Sequence, residues 1–534
     1  MTQTSTHGVQ TRRPNFLLIM TDQQRADHLG AYGNTVVQTP NLDRLASQGF
    51  QANRCYVASP ACMPNRASLL TGRMPSVHRA RHNGIPLPLA EVTFVERLRD
   101  AGYRTGLVGK AHLQNISGFP AIWPPASSPR TQGEARRPES GRFDQEWGPH
   151  WRSDPSHEVS LPFYGYENVC LVVDHGDTAT GHYRRWLEQN HPDVAALTGP
   201  DAAIPAPDYA LTAVKQAWRT RVPEALSTTS YIGQQTRALL SDCVRDNQPF
   251  FLQCSFPDPH HPFTPPGKFW DMYKPEDMAP PPSFHAPAHP LPPHLAWMHA
   301  QRDLGKAVKH TPAMFAANER EVREALALNY GSISHLDEEI GRILQHLEQL
   351  GALDNTVVIF TSDHGDFFGD HQLLWKGPIH YQGLIRVPLI WSDPTAQAQQ
   401  SDTLCSTLDL APTILARAGC TAHNGLQGLS LLPCITQRAA LARTAILVEE
   451  ETQRTLFNLP GRLRMRTLQT ARHRLSVYEG ASWGELYDLV NDPLERNNLW
   501  DDPAATTLRQ DLLHQLTKTL ISYTDTSPHP SALA

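Results

Sequence analysis

Paired cysteines, long apolar runs, an excess of basic charge and internal repeats are all missing from this chain of 534 residues. Its eight cysteines (Cys55, Cys62, Cys170, Cys243, Cys254, Cys405, Cys420 and Cys434) contain no C-x-x-C and no paired framework. That excludes a disulfide-stapled scaffold and fits a reducing compartment. The N-terminal apolar run "NFLLIM" is followed at once by "TDQQRAD", so it is too short for a signal-peptide core or a membrane span. A cytoplasmic protein without a membrane partner is expected; Arg12 and Arg13, just ahead of the run, leave twin-arginine export as the alternative. With 47 basic against 53 acidic residues and a formal charge of -6, the chain has no polycationic face for nucleic acid or anionic lipid. Any anion specificity must be local. Proline and histidine are abundant instead, at 45 and 26 residues, which points to long ordered loops and plentiful imidazole.

Length alone suggests two or more folding units. "NFLLIMT", Asn15 to Thr21, reads as a fully buried strand and ends in Asp22. "TPNLDRLASQG" follows as a helix, capped by Thr39, with Pro40 in its first turn and Gly49 as its stop. "TFVERLRDAGYRTGLVGKAH" repeats the scheme: a helix over Val95 to Ala101, a stop at Gly102, and the strand "TGLVG" delivering Lys110 and His112. A third unit runs from the helix "EALALNYGSISHLDEEIGRILQHLEQLG" to the strand "TVVIF" and then "TSDHGD". This alternation predicts an α/β fold, a large mostly parallel sheet sandwiched by helices. Ligands of such sheets bind beyond the carboxyl ends of the strands, so Asp22, Lys110 and Asp363 should converge on one rim.

Two segments break the pattern, about 116–223 and 262–313, both rich in proline. Loops of that length read as lids or oligomer contacts, and a homodimer or homotetramer is expected. From residue 425 to 534, "AILVEE", "RLRMRTLQTARHRLSVYEG" and "ELYDLVNDPLERNNLW" suggest a smaller α+β subdomain, an antiparallel sheet with a closing helix, beside a catalytic domain over 1–424.

The stretch "SPACMPNRASLLTGR", Ser59 to Arg73, places Cys62 at the mouth of a short helix that Gly72 ends. A thiol there lies in the positive field of the helix N-terminus, which lowers its pKa and suits an anionic ligand. A small buried cysteine beside a turn proline explains the same residues taken alone. Lys110 and His112 stand two apart, so an extended backbone would point both the same way. Asp366, Asp370 and His371 read equally well as a solvated charge cluster on a polar loop. His78, His82, His175 and His380 read as solvated or core-satisfied imidazoles, and Trp123, Trp147, Trp151 and Trp270 as packing residues.

Cys62, Met63, Pro64, Asn65 and Arg66 resemble the signature of the formylglycine-dependent type I sulfatases, within the alkaline phosphatase superfamily. "IMTDQQRAD", "GYRTGLVGKAH", "PDPHHPF", "SDHGDFFGDHQLLWKG" and "LYDLVNDPLERNNL" extend the resemblance in the family's order over most of the chain. Ala61, Met63 and Asn65 depart from the commonest flanking residues. The resemblance implies that a formylglycine-generating enzyme converts Cys62 to formylglycine. It also implies one divalent ion held by Asp22, Gln23, Asp363, His364 and an oxygen of modified Cys62, with Gln23 standing where many sulfatases have a second Asp. Hard oxygen ligands with one imidazole suit calcium first, then manganese or magnesium.

By the same resemblance Arg66 orients the nucleophile and retains sulfate, Lys110 and His112 bind sulfate and activate the diol, and Lys376 binds sulfate and assists the leaving oxygen. His260 protonates the leaving alcohol, with His261 as the competing choice. The implied reaction is hydrolysis of small-molecule sulfate monoesters through a covalent sulfo-enzyme intermediate. The alternative is a phosphonate monoester or phosphodiester hydrolase of the same formylglycine type; those relatives share the Gln but generally lack the Lys and His pair. The resemblance predicts that the tryptic peptide Cys55–Arg66 from active protein carries an aldehyde at residue 62, the sulfur replaced by a carbonyl oxygen. An intact thiol in an active preparation, read by mass spectrometry, contradicts it.

Overall fold

The computed structural model describes residues 13–121, 135–286, 290–310 and 313–533; Arg12 and Trp123 lie outside the described residues. The runs Asn15–Thr21, Phe250–Ser255 and Thr356–Ser362 are buried along their whole length. Continuous apolar strands of this kind need cover on both faces of their sheet.

In chain order the strands are β1 (Asn15–Thr21), β2 (Phe50–Tyr56), β3 (Arg104–Gly109), β4 (Asn168–Val173), β5 (Thr180–Gly181), β6 (Phe250–Ser255), β7 (Phe315–Ala316) and β8 (Thr356–Ser362). They continue as β9 (Leu373–Leu374), β10 (Arg386–Ser392), β11 (Gln399–Ser401), β12 (Cys405–Ser406), β13 (Ala445–Glu451), β14 (Arg464–Thr470), β15 (His473–Tyr478) and β16 (Gly484–Asp488). One 10-stranded sheet has the order β11-β2-β10-β8-β1-β6-β3-β4-β5, with β12 also on β2. Its central strands β8, β1, β6, β3 and β4 are mutually parallel, while β10 and β5 run antiparallel to their neighbours.

Side-chain alternation splits the core into two layers. Phe16, Leu18 and Met20 face one side, with Ala67 and Leu70 of the helix Cys62–Thr71 and Leu98 of the helix Phe94–Asp100. Leu17 and Ile19 face the other, under Ile232 of the helix Thr228–Arg245 and Ile333, Leu336 and Ile340 of the 31-residue helix Glu319–Gln349. A reciprocal capping box between Asn318 and Glu321 starts that long helix. Among the described residues no helix is long and apolar enough to cross a membrane.

The segment 116–223, read from sequence as irregular, carries β4 and β5 at the edge of the main sheet and the helix His182–Asn190. The longer of its two strands, β4 ("NVCLVV"), lies among prolines and polar residues and joins the sheet by pairing parallel with β3. Near the C-terminus, β13 to β16 form an antiparallel sheet. Leu447, Leu468, Leu475 and Leu486 pack under the helix Thr506–Ser522, while Ile446, Val448 and Tyr487 of the same sheet join the main core.

Arg474 of β15 is wholly buried among charges in this sheet. It donates to both oxygens of Glu485 at 3.3 Å, to Ser476 Oγ at 2.8 Å and to Glu495, which also accepts the Gln382 backbone N–H at 2.8 Å. Removing one partner of a buried ion pair leaves an uncompensated charge. Arg474→Met should therefore lower the free energy of unfolding by about 3–5 kcal/mol, measured by urea titration.

Candidate active site

Parallel register sets the site. Thr21 pairs with Ser362, Met20 with Ser255, and Gly109 with Ser255, so the residues that follow, Asp22, Asp363 and Lys110, emerge on one rim. Cys62 opens its helix beside them, after Ala61, which offers no capping side chain, and Gly72 ends the helix with φ 64°. Asn65 anchors that helix to β8: its Nδ2 donates to Asp363 O at 2.6 Å, while its Oδ1 accepts from Ala58 N at 3.0 Å and Thr407 Oγ1 at 2.8 Å.

Cys62 Sγ lies 2.8 Å from Lys376 Nζ, 3.1 Å from His364 Nε2 and 3.7 Å from Asp22 Oδ1. Burial and the Asp22 charge push the thiol up, but Lys376, His364 and Lys110 outweigh them and hold it well below the usual thiol range. Donor atoms of Asp22, Cys62, Asp363 and His364 all lie within 4.8 Å of one another, and all four residues are buried. His364 Nδ1 sits 2.8 Å from Gly365 O, a contact that places its proton there and turns the Nε2 lone pair toward the cluster. Two carboxylates and one such imidazole fit a divalent ion of the oxygen-preferring class.

Arg66 braces this pair. Its Nε donates to Asp363 at 2.7 Å, one Nη reaches Asp22 at 3.3 Å, and the other reaches Ser255 Oγ and Lys110 O, each at 2.9 Å. The guanidinium is thus turned to the carboxylates; the sequence reading had it holding the anion. Lys110 Nζ contacts the Asp22 carboxylate. The Gln23 backbone has φ 61°, its N–H meets Asp363 Oδ1 at 3.1 Å, and its side-chain nitrogen is held by Asp366. That leaves the amide oxygen 3.2 Å from Lys376 Nζ, facing inward. His260 Nε2 is 3.1 Å from Lys376 Nζ, whereas His261 stacks on Trp375 at 3.8 Å and takes a 3.1 Å contact from Gln23 Nε2. The structure therefore brings Asp22, Gln23, Cys62, Arg66, Lys110, His112, His260, Asp363, His364 and Lys376 together.

The Sulfatase family model matches residues 14–130 and 202–420, and the model of the N-sulphoglucosamine sulphohydrolase C-terminal region matches 369–522. The chain belongs to the Sulfatase family. It is 29% identical to an arylsulfatase of Clostridium perfringens, over 91% of this chain and 90% of that protein. It is also 29% identical to a multifunctional alkaline phosphatase superfamily protein of Trinickia caryophylli, over 96% of each. A phosphonate monoester hydrolase of Agrobacterium radiobacter superposes with a TM-score of 0.75 at 25% identity, covering 96% of this chain and 97% of that one.

Two residues of the site come from the segment that looked irregular. His175 Nε2 lies 2.6 Å from Lys110 Nζ, and its ring stacks at 3.8 Å on His260. A signal for it was present: "DHGD" occurs twice, at Asp174–Asp177 after β4 and at Asp363–Asp366 after β8. Glu146 is the second. Its carboxylate collects the backbone N–H groups of His112, Leu113 and Gln114 at 2.5, 2.7 and 2.9 Å. Burial still raises its pKa to about 7 against those three donors. The resulting turn gives His112 a left-handed φ of 51°, so Lys110 and His112 share the site through a bend; the extended backbone expected from their spacing is absent. Burial pushes the His112 imidazole down to about 4, despite a hydrogen bond with Cys62 that works the other way.

Asp366, Asp370 and His371 are not a solvated cluster. Asp366 is fully buried and accepts from the Phe368 and Trp375 N–H groups at 2.8 and 3.1 Å. Burial raises its pKa to about 7. Asp370 pairs with Arg25 at 2.6 Å, and His371 stacks on Tyr381 at 4.0 Å. His78 and His380 are satisfied core imidazoles, bonded to Ser68 and to Thr467 with Glu450. Trp151 and Trp270 are buried by packing, and Trp147 donates to Ser117 O at 3.0 Å.

Displacing a catalytic group by about 1 Å costs on the order of 100-fold in rate. Glu146→Ala, which frees the turn carrying His112, should lower kcat/KM by roughly that factor while Glu146→Gln, which keeps an acceptor, loses less. Steady-state kinetics on the two purified variants tests this.

Proposed function

We propose that this protein hydrolyses sulfate monoesters, R-O-SO3 with water giving R-OH and sulfate. The observation that carries the reading is Cys62 at a helix mouth, in contact with Lys376, His364 and Asp22. Such a ring of positive groups over paired carboxylates suits a compact tetrahedral anion. A formylglycine made from Cys62 by a formylglycine-generating enzyme would supply a hydrated aldehyde, one hydroxyl to attack sulfur and a second to release sulfate. A divalent ion held by Asp22, Asp363, His364 and residue 62, with the Gln23 oxygen at its edge, would supply Lewis acidity; calcium suits the donor set best, ahead of manganese or magnesium.

The chain's own side chains do the rest. Lys110 and Lys376 neutralise the sulfate oxygens, and the His112 imidazole, held neutral by burial, donates a hydrogen bond; together they hold the ester in line with residue 62. Arg66 bonds both Asp22 and Asp363 and holds them in place. His260, in contact with Lys376 and stacked on His175, is the general acid for the departing alkoxide. His261, held between Gln23 and Trp375, is a positioning residue.

The second reading, a phosphonate monoester hydrolase, is favoured by Gln23 and by the superposition on the Agrobacterium radiobacter enzyme. Lys110 and His112 weigh against it, because two extra cationic or protonatable groups suit a fully ionised terminal group better than a diester. Nitrophenyl sulfate should exceed a nitrophenyl phenylphosphonate in kcat/KM by at least about tenfold, equivalent to about 1.4 kcal/mol, and Cys62→Ala should abolish both activities. A preference of that size for the phosphonate reverses the ranking.

A further inference from the structure

Pro60 and Ala61, just ahead of Cys62, open onto a cavity of about 160 Å³ whose wall carries Lys376, Arg454, Glu450 and Glu451. Lys376 Nζ lies 2.8 Å from Cys62 Sγ, so the alcohol part of an ester bound at residue 62 would extend toward this wall. Pockets that enclose drug-sized ligands run to roughly 300–1,000 Å³, and this one accepts a single ring with any longer chain protruding.

The charges of that wall are unequally partnered. Glu450 accepts from His380 Nε2 at 3.0 Å. Glu451 is shared by Arg81, Arg464 and Arg466 at 3.9, 3.6 and 3.5 Å. Among the described residues nothing pairs with the Arg454 guanidinium, although its backbone is firmly held: its N–H meets Thr452 Oγ1 at 2.8 Å and its carbonyl accepts from Leu463 N at 3.2 Å. Next to it, Gln453 Nε2 donates to Asn83 O at 2.8 Å and ties the turn to the loop carrying His82. Burial alone lowers the Arg454 pKa, with no acid contributing. A half-buried guanidinium on a fixed turn, with all five donors unspent, is a preorganised receptor for an oxyanion. Among the described residues the cavity wall has no Phe, Tyr or Trp, so they provide no box of the kind a quaternary ammonium needs.

We infer that Arg454 is a specificity residue that binds a second oxyanion, a carboxylate or a further sulfate, carried by the alcohol portion of the sulfate ester. The preferred substrates are then small ring alcohols bearing an anionic substituent besides the ester that is cut. This rests on the sulfatase reading above, and its test separates the two.

Phenyl sulfate, meta-carboxyphenyl sulfate, resorcinol bis-sulfate and choline sulfate are compared as substrates of the full-length enzyme and of Arg454→Ala and Arg454→Lys. The wild type should favour at least one of the two doubly anionic esters over phenyl sulfate by about tenfold or more, and Arg454→Ala should lose about 10- to 100-fold on that ester. On phenyl sulfate the same variant should stay within about threefold. Arg454→Lys should recover part of the loss, since it keeps the charge without the fork. The carboxylate and bis-sulfate arms tell the two sources of oxyanion apart. Equal losses on neutral and anionic esters, no loss at all, or a preference for choline sulfate overturns the inference. If phenylphosphonate esters are cleaved instead, the sulfatase reading fails, and the same comparison of phenyl with meta-carboxyphenyl phenylphosphonate still decides the role of Arg454.

Discussion

Asp22 and Asp363 stand side by side at the ends of adjacent parallel strands, both fully buried. Taking two like charges out of water costs several kcal/mol each unless other groups neutralise them. Arg66 bonds both, Lys110 contacts Asp22, and Cys62 and His364 complete the ring. Burial pushes Asp22 up, but Lys110, His260, His175 and Arg66 overcome this and hold it well below the usual carboxylate range. In the same pair, burial and the Asp22 charge raise Asp363. A divalent cation among Asp22, Cys62, Asp363 and His364 would add positive charge beside this pair.

The rest of the molecule is arranged around that electrostatic demand. The sheet brings the carboxylates together; the helix Cys62–Thr71 contributes Cys62 and Arg66 from one face. Asn65 stitches that helix to β8. The loop after β8 is held by Asp366 through two backbone N–H groups, which fixes where Lys376 emerges. Glu146 performs the same service for the turn carrying His112. In both loops a buried carboxylate gathers backbone N–H donors, three successive ones for Glu146 and two from either end of the loop for Asp366, and so fixes where a side chain of the site emerges.

Much of the fold could be read from residue order. The runs "NFLLIMT" and "TVVIF" carry their strand character in composition, and the Gly102 and Gly49 stops mark helix ends that the structure reproduces closely. β4 escaped because six residues between proline-rich stretches have no periodicity to declare. His175 escaped with it, although the repeated "DHGD" pointed to a second strand end of the same kind. The roles of Asp366 and Asp370 stayed open for a different reason: a charged residue in a polar loop looks the same whether its partner is water or, as for Asp370, Arg25 from a segment 345 residues away.

Residue order by itself determined which chemistry was available: a cysteine at a helix mouth, acids at strand ends, lysines and histidines after apolar runs, and the family these motifs resemble. Tertiary structure alone decided which groups spend their charge on each other and which remain free for a ligand. Arg66 is turned inward to the carboxylates, His260 rather than His261 faces Lys376, and among the described residues Arg454 is left unpaired in the cavity wall. The physical reason is that Coulomb and hydrogen-bond energies depend on distances of a few ångströms in a buried, low-dielectric setting. Those distances are set by the packing of segments far apart in the chain.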